Sequence, residues 1–535
     1  MKTMINSIIL ASCLALPLAS CSDSDAAPEQ KDWSTTTYFN SSDAAAQDTY
    51  YKPAVGYVGD PMPFFDPVAG DFKVLYLQDF RPNPEGTYHP IWGVSTKDAA
   101  HYTALGELVS CGTLKSQDAA IGTGSTIYDE ASKLYYTFYT GNKYKPTGDE
   151  SAQAVMVATS ADFKTWTKDR TFLIKGQDFG YDKNDFRDPF VFKGDDGKFH
   201  MLISTKKGGK GSLAEFVSDD LKNWTDNGVF MTMMWDRFYE CPDLFKMGDY
   251  WYLVYSEIHH AVRRVQYFKG RTLDELKACT ANDVARWPDA HEGFLDSRGL
   301  YAGKTASDGT NRYLWGWCPT RSGKDNTAVG ASPAEPEWAG NLVCYKLIQH
   351  EDGTLTLGQI DAVSEKYNQD VAVEVKESQN MTEADGIYTL AGNVEQPDAY
   401  MLMGRLGSHN KISFTVTTSN KWDKFGISMV RGSDSKKYYT MVVNPEDENN
   451  RKVNFEEQGV EGKGFIAGID GYVFARPADN VYNVTIYTDN SICVMYINDV
   501  CSYTNRIYGI QKNCWSINSY NGANVKISNL KISQY

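Results

Sequence analysis

The strongest constraint on what this chain can fold into is a repeat. Short runs of aromatic and β-branched residues recur at Phe72–Gln78, Leu134–Thr140, Lys198–Ser204, Tyr250–Ser256 and Arg312–Trp317, their starts 52 to 64 residues apart. A second marker interleaves with the first three: Thr96, Asp98 and Tyr102, then Ser160, Asp162 and Trp166, then Ser218, Asp220 and Trp224. Each is a hydroxyl residue, an Asp two positions on and an aromatic six positions on. A unit of this kind cannot bury its apolar face alone, whereas five packed around an axis can. Five repeats of about sixty residues, each with several strand-like runs and Gly/Asp/Asn turns, predict a five-bladed β-propeller over residues 51–350. Sustained helical periodicity is scarce between the runs, which argues against a parallel α/β fold. The best helical candidate is Thr272–Ala278.

After Val343-Cys344-Tyr345 the sixty-residue period lapses. Shorter alternating strands follow at Lys411–Thr417, Val481–Tyr487, Ser491–Ile497 and Val525–Ile532. Polar turns separate them, with Asp489-Asn490 and Asn498-Asp499 flanking one hairpin strand. Residues 351–535 therefore read as a β-sandwich, and the whole chain as all-β.

The N-terminus reads as an address. Lys2 precedes an apolar stretch from Ile5 to Leu18 that is too short to span a bilayer. It ends in Leu18-Ala19-Ser20-Cys21, which resembles a bacterial lipobox, with residues 1–20 removed and Cys21 lipidated. Ser22-Asp23-Ser24-Asp25 resembles the export signal of Bacteroidetes surface lipoproteins, and residues 21–50 form a Ser/Asp/Ala/Thr-rich tether. The expected location is the cell surface or outer membrane of a Gram-negative bacterium, with the periplasm as the alternative. Membrane contact is expected only through that lipid. A net charge of −15 argues against nucleic acid as a partner and suits a neutral ligand such as a sugar. The eight cysteines beyond residue 21 show no metal-ligand spacing and several sit in apolar strands, so buried thiols are expected, with no disulfide framework, metal or cofactor. His259-His260 reads as a polar loop, and Lys206 to Lys210 as a solvated turn.

Candidate chemistry lies in three segments with one grammar, an acid at or beside a Pro ahead of an apolar run. They are Gly59-Asp60-Pro61, Arg187-Asp188-Pro189 and Glu240-Cys241-Pro242-Asp243. Taken singly, an Asp-Pro pair is a turn or a strand start. These three precede the aromatic runs of their blades by ten to twelve residues, which reads as one position class in three blades converging on one funnel. Glycoside cleavage needs an acid for the leaving oxygen and a carboxylate to attack or to activate water. Asp60 is assigned as nucleophile, Glu240 as acid/base and Asp188 as a clamp on sugar hydroxyls, with Arg187 offsetting the negative charge beside it. Asp79 is a further candidate sugar contact, and Trp92, Trp235, Trp317 and Trp338 are candidate stacking platforms.

The order acid-Pro, Arg-Asp-Pro, Glu-Cys resembles glycoside hydrolase family 32, the β-fructosidases. Further elements agree: Trp92-Gly93 with Thr96-Lys97-Asp98, Thr123-Gly124-Ser125, Phe138-Tyr139-Thr140-Gly141, Asp296, Tyr301-Ala302, Gly316-Trp317 and Trp338-Ala339-Gly340. In the C-terminal part, Asp489 to Ile492, Ile497 to Asp499, Thr504 and Arg506 to Tyr508 resemble that family's second domain. The resemblance implies a propeller followed by a sandwich, a retaining mechanism on β-fructosidic bonds of levan, inulin or related fructosides, and the same three acids. It also places Thr123 at the sugar site. The first motif departs from the family pattern: Gly59 replaces an Asn, Met62-Pro63 replaces Asn-Gly, Val94 stands for a His and Gly122 for a Phe. The competing readings are a family 43-like inverting arabinofuranosidase or xylosidase and a non-catalytic glycan-binding surface lipoprotein.

Overall fold

The computed structural model describes residues 49–80, 86–233, 238–257, 264–279, 293–321, 336–431, 438–446, 453–458 and 476–535. The leader, Cys21, nearly all of the tether, Trp235 and His259-His260 lie outside the described residues.

Five antiparallel blades of four strands follow one another. Blade 1 comprises Tyr57–Asp66, Asp71–Asp79, Ile91–Thr96 and Thr103–Val109. Blade 2 is built on Ala120–Asp129, Leu134–Asn142 and Gln153–Ser160, with Thr167–Lys168 outermost. Blade 3 runs from Phe186–Lys193 to Thr225–Thr232, and blade 4 from Glu240–Met247 to Gly293–Phe294. Blade 5 comprises Tyr301–Ser307, Arg312–Arg321, Pro336–Gln349 and Leu355–Gly358. Its third strand bridges to blade 1 at Gly340 and Val58, which joins the last blade to the first.

Each repeated aromatic run is the second strand of its blade. These strands are covered on both faces, so they read as near-continuous apolar runs without alternation. The interleaved marker is the turn between the third and fourth strands. In it Ser160 Oγ and the Asp162 carboxylate bond each other, and Asp162 also accepts the Lys164 and Thr165 N–H groups at 2.8 Å. Ser218, Asp220, Lys222 and Asn223 repeat the arrangement. Those backbone donors pull both exposed carboxyls down to about 2. The short helix forms where expected, Leu273–Ala278, with Thr272 Oγ1 accepting the Glu275 N–H.

The C-terminal domain is a sandwich of an eight-stranded and a six-stranded sheet. Strand His409–Thr418 alternates buried and half-buried along its length, as a strand with one face on a core should. That core includes Phe414, Phe425, Ile486, Met495 and Trp515. The fifth blade takes its outer strand, Leu355–Gly358, from beyond residue 350. The domain break therefore falls near residue 360 and not at 350. The eight described cysteines are free thiols, six of them buried.

The domains share a polar, buried seam. Arg506 donates to the carbonyls of Pro319 and Cys318, to Asn341 Oδ1 and to Ser491 Oγ. Asp296 accepts from the Thr504 N–H, Thr504 Oγ1 and Ser502 Oγ, each at 2.8 Å. Tyr50 donates its N–H to Asp489 and accepts from Asn341. The residues that carried the C-terminal resemblance thus meet the late-propeller motif face to face.

Candidate active site

In every blade the inner strand breaks register once against its neighbour, and the candidate acids sit at these breaks. In four blades two residues bulge opposite one: Asp60-Pro61, Asp188-Pro189, Cys241-Pro242 and Ala302-Gly303. The first residue of each bulge has positive φ, 28° at Asp60, 59° at Asp188, 51° at Cys241 and 51° at Ala302. Blade 2 has Thr123 as its single extra residue. A bulge re-aims side chains and twists the strand, which explains the Pro that follows three of the four. The non-Gly residues held at positive φ are a cost that the surrounding hydrogen bonds must offset.

This register corrects the reading of one position class. Asp60 and Asp188 are first bulge residues. Glu240 stands one position earlier, equivalent to Gly59, Arg187 and Tyr301. Three of those four are linked across three blades. Arg187 Nη2 donates to Glu240 Oε1 at 2.9 Å, and the Tyr301 hydroxyl donates to Glu240 Oε2. Arg187 Nη1 also donates to Asp185 Oδ1 at 2.7 Å, while its guanidinium lies 3.9 Å over the Phe238 ring. The guanidinium therefore hydrogen-bonds Glu240 and Asp185, while its charge also offsets that of the adjacent Asp188, as the sequence suggested. Burial tends to lower the Arg187 pKa, but the charges of Glu240 and Asp188 outweigh it and hold it above its ordinary value.

The other two acids have different surroundings. Asp60 Oδ1 accepts the Trp317 indole N–H at 3.0 Å. Asp188 is only 4% exposed; its Oδ2 accepts the Cys241 N–H at 2.9 Å and its own N–H donates to Thr140 Oγ1. Burial pushes the Asp188 carboxyl up and Glu240 adds to this. Arg187, the Cys241 N–H and Lys304 pull it back without cancelling the rise. Burial and the Asp60 and Asp188 charges likewise push the Cys241 thiol up, so it stays protonated beneath the site.

Asp60, Asp188 and Glu240 are thus brought to one ring of bulges, with Arg187 beside them. The other candidate sugar contacts are buried or packed against the blades. Thr123 is fully buried; its hydroxyl donates to the Asp60 carbonyl and its own carbonyl accepts from Thr140 Oγ1, so it braces the bulges and is out of reach of a sugar. Trp317 is also fully buried and holds Asp60 by its edge instead of offering a stacking face. Trp92 sits on the third strand of blade 1, packed edge-on against Phe80 and against that blade's core. Asp79 is buried at the end of the second strand of blade 1, its carboxylate 3.9 Å from His89 Nε2. Lys206, expected in a solvated turn, pairs with Asp185 at 2.9 Å.

Sequence reasoning missed three contributors. Tyr301 was noted as part of a motif and given no role, yet its hydroxyl bonds Glu240. Phe238 carries the Arg187 guanidinium. His89 stacks on Trp338 at 4.1 Å between ring centroids, and Trp338 in turn lies against Trp317. A signal existed for one departure from the family pattern. A Cβ placed on Gly59 would fall 2.2 Å from the Trp338 ring, so the indole occupies the space a larger residue would need there.

A five-bladed propeller with three acids on one ring of bulges, backed by a β-sandwich, defines a propeller-type glycoside hydrolase. The chain belongs to glycosyl hydrolase family 32: the family's N-terminal domain matches residues 50–360, and the domain described as "GH32, BT1760-like, C-terminal domain" matches residues 353–532. Among curated proteins it is similar to a β-fructofuranosidase of Arabidopsis thaliana, insoluble isoenzyme CWINV2, at 26% identity over 320 residues, 54% of this chain and 51% of that one. It is 25% identical over 217 residues to a sucrose-6-phosphate hydrolase of Vibrio alginolyticus, 39% of this chain and 41% of that one. The chain spans about half the length or less of these relatives. Its fold is similar to that of an exo-inulinase from Aspergillus awamori, with a TM-score of 0.67 at 17% identity over 91% of this chain and 97% of that one.

Proposed function

We propose that the protein hydrolyses β-fructosidic bonds of a fructan, levan or inulin, with retention of configuration. The observation that carries this is the ring of bulges, which presents Asp60, Asp188 and Glu240 together in a chain that belongs to family 32. Asp60 attacks the anomeric carbon of the fructosyl unit while Glu240 protonates the departing oxygen. The resulting fructosyl-enzyme is then cleaved by a water whose proton Glu240 removes. Trp317 donates to Oδ1 of Asp60 and orients that carboxylate for attack. Arg187 and Tyr301 grip the two oxygens of Glu240, so its proton is delivered from a fixed place. Asp188 accepts hydroxyls of the same fructosyl unit and strengthens those bonds as positive charge develops on the ring.

The test is incubation of the purified protein with levan, inulin, sucrose, sucrose 6-phosphate and arabinan, beside Asp60→Asn and Glu240→Gln. Release of fructose or fructo-oligosaccharides that both variants abolish supports the proposal, and the anomer first released, read by NMR, reports retention. Arabinose release, or binding without hydrolysis, overturns it. The family 32 matches do not favour the arabinan reading.

The leader supports a second part of the proposal, that the enzyme is tethered at the outer membrane or cell surface through Cys21 and meets polymers too large to import. Cys21→Ser in the native host should move the protein from the membrane fraction to a soluble one. A membrane fraction unchanged by that substitution would remove the anchor.

A further inference from the structure

Just past each bulge the inner strands regain register, at Met62, Gly124, Phe190, Asp243 and Lys304. These five form the next layer of the funnel after the acids. One is a buried cation: Lys304 is 2% exposed, and Nζ donates to the Gly124 carbonyl at 2.6 Å. Blades 5 and 2 are not neighbours in the ring, so this side chain crosses the axis.

Gly124 is a consequential acceptor. Its N–H lies 3.1 Å from Met62 Sδ of blade 1, and the preceding Thr123 donates to the Asp60 carbonyl. The Thr123 carbonyl accepts from Thr140 Oγ1, which in turn accepts the Asp188 N–H at 2.9 Å. Next to it, Ser125 Oγ donates to the Pro189 carbonyl and accepts the Val191 N–H. Blade 2 carries no catalytic acid, yet it ties together the bulges that hold two of them. Lys304 fastens blade 5, which supplies Trp317 and Tyr301, to the same junction.

We propose that Lys304 is a positioning residue for the reaction, closing the funnel floor and supplying the positive charge that keeps Asp188 an acceptor of sugar hydroxyls. The charges facing Asp188 are Arg187 on its own strand, Glu240 of blade 4 and Lys304 of blade 5; the Cys241 N–H also points to it, with the protonated thiol nearby. Arg187 is shared with Glu240 and Asp185, and Asp243 in the Lys304 layer adds a further buried carboxyl whose Oδ2 accepts the Thr305 N–H. Removal of Lys304 therefore leaves Asp188 with the Arg187 charge that Glu240 and Asp185 also draw on, while Asp185 keeps Lys206 and Asp243 keeps Arg312. Burial already raises the Asp188 carboxyl, and Lys304 is one of the groups that restrain it.

This rests on the fructosidase reading and is tested through it. The measurements are kcat/KM against pH on the fructan that the wild type cleaves, and the urea midpoint, for Lys304→Met and Lys304→Gln. Gln keeps a donor for Gly124 without charge. Both variants should move the acidic limb of the profile upward. Near pH 5 they should lose activity more through kcat than through KM, and recover part of it by pH 7–8, with limits set as for any group that must be ionised. A limb that stays in place in either folded variant overturns the proposal. So does a failure of both to fold, which would assign Lys304 a structural role alone. An inactive wild type sinks the fructosidase reading and this inference with it, whereas an active wild type with an unmoved limb sinks only this inference.

Discussion

Asp60 and Asp188 hold equivalent places in their strands and differ because their neighbours differ. Asp60 is partly open, with one oxygen taken by an indole N–H; Asp188 is enclosed, with one oxygen taken by a backbone N–H. Trp317→Phe removes the indole N–H that Asp60 accepts and keeps a smaller aromatic ring in its place. A hydrogen bond to a charged group contributes about 1.5–3 kcal/mol, so kcat/KM should fall about 10- to 100-fold with an unchanged far-UV spectrum. A loss below about threefold would show that Asp60 needs no help from the indole. Asp188→Asn keeps an acceptor for the Cys241 N–H and cannot ionise. Hydroxyl bonds that strengthen in the transition state supply several kcal/mol, so activity should drop about 10²- to 10⁴-fold. Its stability should move the other way. The folded pKa of Asp188 is raised, so the stability it contributes is full below its unfolded value near 4 and is lost as pH rises through the folded value. The variant should therefore melt above the wild type at pH 7, with the gap closing toward pH 4. A wild type that melts higher at pH 7 would contradict the buried, costly carboxylate described here.

At the scale of the strand, the sequence shows what repeats and hides what departs from regularity. The second strands are legible because both of their faces are buried, and the Ser/Asp turns because their side chains cap backbone donors two and three residues on. The bulges are half legible. Asp-Pro and Cys-Pro mark where a strand must break its ladder, and aligning Pro61, Pro189 and Pro242 already puts Glu240 one place ahead of Asp60 and Asp188, a displacement that the shared grammar of acid and proline concealed. Arg187 offsets the charge of its sequence neighbour Asp188 as expected, but its hydrogen bonds to Glu240 and Asp185 were not legible, because Glu240 lies on another blade. Trp317 was taken for a sugar contact because an indole can stack on a sugar, and Thr123 because the resemblance placed it there; both are buried and hold the Asp60 bulge instead. Gly59 shows how a departure from the family pattern becomes readable once its partner is known. Gly59→Ala places a methyl 2.2 Å from the Trp338 ring, next to Asp60. Overpacking of this kind costs about 1–3 kcal/mol, and the displaced indole should disturb the site and lower kcat/KM. In Trp338→Ala the added methyl meets open space. The double variant should therefore lose less than the sum of the two single losses, by more than about 0.5 kcal/mol. Simple additivity would mean that the contact does not govern the pair.

Across the whole molecule, one route from the sandwich to the chemistry runs through Arg506. Arg506 donates to the carbonyls of Cys318 and Pro319, the two residues that follow Trp317 on the same strand, and Trp317 holds Asp60. Asn341, which also accepts from Arg506, donates to Tyr50 and lies in the strand that closes the ring of blades. The motif residues of the second domain were legible in the sequence as a resemblance, but their purpose was not, because their partners lie almost two hundred residues away. Arg506→Lys keeps the charge and the apolar stem but replaces a planar fork serving four acceptors with one ammonium. Two or more buried acceptors lose their donor, which should lower stability by about 2–4 kcal/mol. If the seam only glues the domains together, kcat/KM of the folded fraction stays at the wild-type value. The line from Arg506 to Trp317 to Asp60 predicts that it falls, through kcat and not KM, and that the variant combined with Trp317→Phe loses little beyond Trp317→Phe alone. Melting curves and steady-state kinetics on the four proteins decide between these outcomes. A double variant whose losses simply add would confine the sandwich to bracing the propeller.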